Sequence, residues 1–461
     1  MGQGCLFRRI AELRDQYGKA PGLPFVEALD ADRLDALLRE LKVVYRQRLF
    51  TPDVTLWTFL GQVLHPDQSC RAAMARLLAY RVARGLGPCS TDDSSYCQAR
   101  QRLPEVLFER LVRQTGTEIQ QHAARPGLAH GRPVKIVDGT TASMPDSDKN
   151  RLFFGKPRNQ RGCAGFPLAR LVVVLCLATG SVLEAALGPS QGKRSGELTL
   201  FRRLQKRFTP GDIVLGDRLY CAYADLARLQ GRGVDAVFRL HSHRRADFRR
   251  GRRLGPDDHV VSWHKPVARP DWLSAQEFAE LPAELPLREV RVRIAKAGYR
   301  VKTLVVVTTL TDPAKFSSAD IAELFHQRWH AELDLRSLKD VMRMDVLRCL
   351  SPDMVRKEVW VHFLAYNLLR SVMCAAAAEQ NVPVRTLSFK GTEQLLQAFY
   401  QLLLSTRAED LAELCTCMLR ATGEHRVGHR PDRYEPRKRK RAAKPYPRLK
   451  LPRYQERKLC A

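Results

Sequence analysis

Between residues 132 and 240, strand-length apolar runs and helical segments follow one another in a fixed order, and that order restricts the fold more than any other feature. P-V-K-I-V-D-G reads as a buried strand, and A-R-L-V-V-V-L-C-L-A and S-V-L-E-A-A-L read as two more joined at a T-G turn. A helix G-E-L-T-L-F-R-R-L, a strand D-I-V-L-G-D, a helix around A-D-L-A-R-L and a strand D-A-V-F-R-L come next.

Three meandering strands followed by alternating helix and strand is the order of a ribonuclease-H-like α/β core. From about 241 to 312 a β pattern returns in H-V-V-S-W-H, L-R-E-V-R-V-R-I and Y-R-V-K-T-L-V-V-V-T-T-L, and helices resume directly after it, which predicts an inserted β subdomain. Upstream, about residues 27 to 125 are helical: Met74, Leu77, Leu78 and Arg81 keep the three-four spacing, and Gly85 can end their helix. T-D-D-S-S-Y-C-Q-A-R-Q-R-L-P opens on capping residues, stops at Pro104 and shows Tyr96, Gln98, Arg100 and Arg102. It reads either as a recognition helix for a DNA groove or as a solvated amphipathic helix. The resulting division is a helical N-terminal DNA-binding domain (1–126), a core in two parts (127–240 and 313–405) around the insertion (241–312), and a C-terminal tail (406–461).

Lysine and arginine number 77 against 49 acids, a formal net charge of +28, and nucleic acid is the first polyanion to neutralise such a surplus. Residues 426–461 hold 14 basic and 3 acidic side chains, 14 − 3 = +11, and are expected to stay unstructured until they meet DNA. The longest apolar run, Leu171 to Ala178, is too short to span a bilayer, and the first fifteen residues lack the apolar core of a signal peptide, so a cytoplasmic, nucleoid-associated protein with no membrane partner is expected. Twelve cysteines lie scattered without the spacing of a zinc ribbon or a disulfide framework.

Two aspartates stand at strand ends, where ligands gather in open α/β sheets: Asp138 in Asp-Gly-Thr-Thr and Asp217 in Leu-Gly-Asp-Arg. Taken singly, Asp138 before a glycine is also a turn former, and Asp217 a helix N-cap. The third element is L-F-H-Q-R-W-H-A-E-L-D-L-R-S-L-K. At about 100° per residue, Phe325, Arg328, Glu332, Arg336 and Lys339 share one stripe, which equally describes a salt-bridged solvent face. Two aspartates and a glutamate meet the need of phosphodiester chemistry for carboxylates that clamp two hard cations, with Arg328, Arg336 and Lys339 beside them to hold phosphates. His326 and His330 are four apart on that helix but have no evident third ligand for zinc. Lys156 and Arg158 lie in a basic, glycine-flanked loop that suits either a DNA backbone or solvent.

These motifs resemble insertion-sequence transposases of the DDE class, in the insertion-sequence-4-like group marked by tyrosine, two residues, arginine, three residues, glutamate, six residues and lysine. Phe325, Arg328, Glu332 and Lys339 keep those intervals, with Phe325 in the tyrosine position. Asp138-Gly-Thr-Thr, F-F-G-K-P-R-N-Q-R-G-C-A-G-F-P, Gly216-Asp217-Arg218 and V-W-V-H-F-L-A-Y-N-L-L-R extend the resemblance over roughly residues 50 to 405. It implies catalytic and metal-binding roles for Asp138, Asp217 and Glu332, two Mg²⁺ ions with Mn²⁺ as a substitute, and a bacterial homodimer acting on terminal inverted repeats and target DNA. It also implies cut-and-paste transposition through a hairpin, with a tryptophan of the insertion, Trp263, stacking on a flipped base; the alternative for Trp263 is a core tryptophan of the β region. Two rival readings are a ribonuclease-H-like nuclease that does not join strands and a catalytically silent DNA-binding descendant.

Overall fold

The computed structural model describes residues 31–83, 85–121, 128–157, 165–192, 195–293, 303–405, 408–428 and 455. Arg158 and nearly all of the basic tail lie outside the described residues.

Among the described residues, five helices come first: α1 (Ala31–Glu40), α2 (Pro52–Leu64), α3 (Cys70–Ala83), α4 (Ser94–Arg102) and α5 (Glu105–Gln121). Gly85, at φ 63°, closes the end of α3, its amide bonding to Val82 O at 3.0 Å. The short β1 (Leu128–Ala129) pairs with β2 (Arg132–Ser143), and α6 (Asp148–Phe154), β3 (Leu168–Cys176) and β4 (Val182–Pro189) follow. Then come α7 (Glu197–Leu204), β5 (Ile213–Gly216), α8 (Tyr223–Gly231) and β6 (Asp235–Arg239), each near its expected place. The chain continues through β7 (Arg252–Gly255), β8 (Asp258–His264), α9 (Ala275–Ala279), β9 (Glu284–Arg293) and β10 (Thr303–Thr308). Next come α10 (Ser318–Gln327), α11 (His330–Arg336), α12 (Pro352–Glu379), α13 (Phe389–Ser405) and α14 (Ala408–Glu424).

The fold is mixed α/β around one large sheet, in the order β4-β3-β2-β5-β6-β10-β9-β8-β7 with β1 beside β2. β2, β3 and β4 form an antiparallel meander; β5 and β6 lie parallel to β2, and β10 returns antiparallel to β6. The strands between 252 and 308 therefore continue the same sheet edge to edge.

Near-continuous apolar runs such as β3 are explained by cover on both faces. Leu171, Val173 and Leu175 join one core with Ile136, Leu215 and α12, while Val172, Val174 and Cys176 join another with Leu200, Phe201 and Phe238. α12 has the length and apolarity to cross a membrane, but 78% of its apolar window is buried in protein, as in a core helix. Its Asn367 ties three elements together, donating to Val112 O (3.1 Å) on α5 and Val182 O (2.9 Å) on β4 and accepting from Val182 N (2.8 Å).

Candidate active site

β2 does not stop at Asp138. It continues to Ser143 beside β3, whereas its parallel partner β5 ends at Gly216. The last β2–β5 pair is Ile136 with Leu215, and Asp138 and Asp217 each stand two residues beyond it. A glycine after Asp138 is not a turn here, since Gly139 pairs with Val172 inside the strand.

Where β5 ends, a cleft of roughly 480 Å³ opens, lined by Asp138, Glu197, Asp217, Arg218, His241 and His243. Burial pushes the Asp138 carboxyl up to about 6, with the charges of Glu197 and Glu332 adding to it and the Gly139 amide and Arg328 opposing it. Glu197 opens α7 and accepts a hydrogen bond from the Tyr220 hydroxyl at 2.6 Å. Burial and that carboxylate hold the Tyr220 phenol far above its ordinary range. Glu197 lies in the helical segment G-E-L-T-L-F-R-R-L, where no motif singles it out.

The signature segment is not one regular helix. From Phe325 to Glu332 the backbone bonds skip three residues instead of four: Arg328 N to Phe325 O is 3.2 Å, Ala331 N to Arg328 O 3.0 Å and Glu332 N to Trp329 O 3.1 Å. Such winding turns about 120° per residue, so the stripe drawn at 100° breaks up. Phe325 turns into the core at 8% exposure, and Arg336 faces solvent, 3.2 Å from Asp340. Arg328 and Glu332 stay together, Nη2 to Oε1 at 3.3 Å, and Arg328 Nη1 lies 3.9 Å from Asp138 Oδ2. The Arg328 Nε–H is buried without a hydrogen-bond partner. A π-helical turn, Ser337–Val341, carries Lys339.

Two residues past Glu332, Asp334 is buried and accepts hydrogen bonds from Arg370 and from Arg385 Nη1 (2.7 and 2.8 Å). Arg385 also donates to Cys176 O and Leu177 O at the end of β3 (3.1 and 2.9 Å). α11 is thereby fixed to both the sheet and α12. Next to this clamp, burial and the two arginines push His330 down to about 4.

The structure thus brings Asp138, Asp217, Arg328 and Glu332 into one neighbourhood. Their carboxylates are not drawn to metal-ligand spacing: among the described residues, only Cys70, Asp93 and Cys97 bring three such atoms within 4.8 Å of one another. Arg100 donates to both of those sulfurs, a cation where a metal would have to sit.

The remaining sequence candidates lie elsewhere. Arg100 does not face a groove: it is 6% exposed, four residues from buried Tyr96 on the inner side of α4, and its guanidinium packs on Phe59 and Tyr96. Gln98 and Arg102 occupy the exposed side. Trp263 is buried too; its indole N–H donates to Glu289 at 2.9 Å, and the Arg244 guanidinium covers its ring at 3.8 Å. Lys156 is paired with Asp146 at 2.8 Å.

Comparison with known proteins matches residues 129–368 to the family described as Transposase DDE domain. The chain is 25% identical over 353 residues to the transposase InsG for insertion sequence element IS4 of Escherichia coli (strain K12), which covers 76% of each chain. Among solved structures it is similar to piggyBac transposase in a synaptic complex with hairpin DNA, with a TM-score of 0.43, 11% identity, and coverage of 89% of this chain and 86% of that one.

Proposed function

Because the chain belongs to the Transposase DDE domain family, and so is a DNA transposase that cleaves DNA and transfers strands, we propose that Asp138, Asp217 and Glu332 carry its chemistry on a ribonuclease-H-like core interrupted by residues 241–312. The observation that carries this reading is that Asp138 and Asp217 line one cleft, each two residues past the last β2–β5 pair, with Arg328 reaching both Asp138 and Glu332. A β4-β3-β2-β5-β6 strand order supports the core assignment.

The family uses divalent metal ions, and the donors here suit hard cations: carboxylate oxygens of Asp138, Glu197 and Asp217 around one cleft. Two Mg²⁺ ions, with Mn²⁺ able to substitute, would ease deprotonation of the attacking water or 3′-hydroxyl and stabilise the leaving oxygen. Asp138 and Asp217 would hold them from adjacent strands and Glu332 from α11. Arg328, with its unspent Nε–H, and Lys339 bind the phosphates flanking the scissile bond. The substrate is the pair of terminal inverted repeats, held by a homodimer. The freed 3′-hydroxyl attacks the opposite strand to form a hairpin, which is reopened and joined to target DNA.

The test is incubation of the purified protein with its element's ends and Mg²⁺, beside Glu332→Gln and Asp217→Asn, with products resolved on denaturing gels. Hairpin and strand-transfer products from the wild type alone support the reading. Cleavage without joining refutes the hairpin and transfer steps, and full activity in either variant refutes the assignment of the acids.

A further inference from the structure

The cleft contains a carboxylate for which the triad has no use. Glu197 is the first residue of α7, a helix whose Leu200, Phe201 and Leu204 pack on the face of the sheet that also buries Val137 and Val172. By strand alternation Asp138 shares the opposite face with Val134 and Ile136. Both faces reach the cleft because β5 has ended while β2 runs on, leaving the flank of β2 open beside Asp138 and Gly139.

Glu197 is held close to that opening. A Cβ on residue 139 would fall 2.3 Å from the Glu197 Cδ and 2.5 Å from both of its oxygens, so only a glycine lets the carboxylate lie against β2 at this point. Oε1 is fixed by the Tyr220 hydroxyl, three residues past Asp217, while Oε2 accepts no hydrogen bond among the described residues. One carboxylate is thus set between the backbone that follows Asp138 and the turn that follows Asp217. Favourable interaction with the N-terminus of α7 accounts for an acid at position 197 but not for its reach across to β2. Anchoring of Tyr220 accounts for one oxygen only.

We propose that Glu197 is a fourth carboxylate of the metal centre, holding the divalent cation at Asp138 and Asp217 from the opposite face of the sheet. The proposal rests on the metal reading above. Its test is Mn²⁺ binding to the full-length protein without DNA, followed by electron paramagnetic resonance, for the wild type, Glu197→Gln, Tyr220→Phe and Asp138→Asn, each checked for a cooperative thermal melt. Glu197→Gln is expected to weaken Mn²⁺ binding on the order of tenfold or more, and Tyr220→Phe, which keeps the carboxylate, by less than Glu197→Gln does. Wild-type affinity in Glu197→Gln, with binding lost in Asp138→Asn, overturns this proposal and leaves the metal reading standing. Wild-type affinity in Asp138→Asn overturns the metal reading itself. An equal loss in Tyr220→Phe assigns the effect to the phenol and overturns a direct role for Glu197. If Glu197→Gln does not fold, Glu197→Asp takes its place, and wild-type affinity with that withdrawn carboxylate also overturns the proposal.

Discussion

Replacing Asp138 by asparagine should stabilise the metal-free protein while abolishing its chemistry. An aspartate lifted from 3.8 to about 6 in the fold carries a penalty of about 3 kcal/mol once ionised, and at 19% side-chain exposure little of this is screened away. The sign follows from proton binding: between the unfolded value of 3.8 and the folded value of about 6, the folded state holds the extra proton, so stability falls as pH rises through that window. Below the window the penalty is absent, and above it the penalty is complete. Asparagine escapes it and can still accept the Gly139 amide, which lies 2.9 Å from Asp138 Oδ1; the value near 6 already contains the attraction to Arg328, so about 3 kcal/mol is the full gain. Urea unfolding at about pH 7.5 without metal should show Asp138→Asn ahead by roughly 1–3 kcal/mol, an advantage that disappears near pH 3.5. Added Mg²⁺ should raise the midpoint of the wild type and not that of the variant. A variant no more stable than the wild type at pH 7.5, or a difference independent of pH, would refute the reasoning.

Gly139→Ala should displace the flexible end of Glu197 and not the sheet, so the melting temperature should stay within a few degrees while cleavage falls on the order of tenfold; unchanged cleavage on gels would show that the close approach has no role. Arg370→Met removes one of the two arginines bonded to buried Asp334, and urea unfolding should register a loss of about 3–5 kcal/mol. In the N-terminal helices, Arg102→Ala should weaken DNA binding a few-fold, roughly one phosphate contact, without changing the melt. Arg100→Ala should instead destabilise by about 1–3 kcal/mol, and calorimetry beside a gel-shift titration separates the two.

The order of strands and helices was legible because alternation is a local property: the meander, β5, α8 and β6 all stand where period and turn residues put them. Partnership between distant segments was not. Nothing in Y-R-V-K-T-L-V-V-V-T-T-L indicates that β10 hydrogen-bonds to β6 and extends the central sheet. For Asp138 a strand ending was inferred from Asp-Gly, whereas β2 runs on to Ser143 and the glycine makes room for a side chain 58 positions later. Tightened winding between Phe325 and Glu332 has no proline or glycine to announce it, so regular geometry put Phe325 and Arg336 on a face they do not share. Arg100 was misplaced for a related reason. A guanidinium flanked by aromatic rings is stable inside the protein, and the sequence does not distinguish its packed side from its wet one.

The clamp on Asp334 also orders events in time. Both aspartates and Glu332 leave the ribosome well before Arg370 and Arg385, the two groups that fix α11 against α12 and the end of β3. A nascent chain, or one cut short before residue 385, therefore carries Asp138, Asp217 and Glu332, the three acids proposed to act together, without the anchorage that fixes α11. In a series of ribosome-arrested chains, Mg²⁺-dependent cleavage should begin only after residue 385 has emerged; cleavage by shorter chains would show that the anchorage is dispensable. Chain length then decides when α11 is held in place.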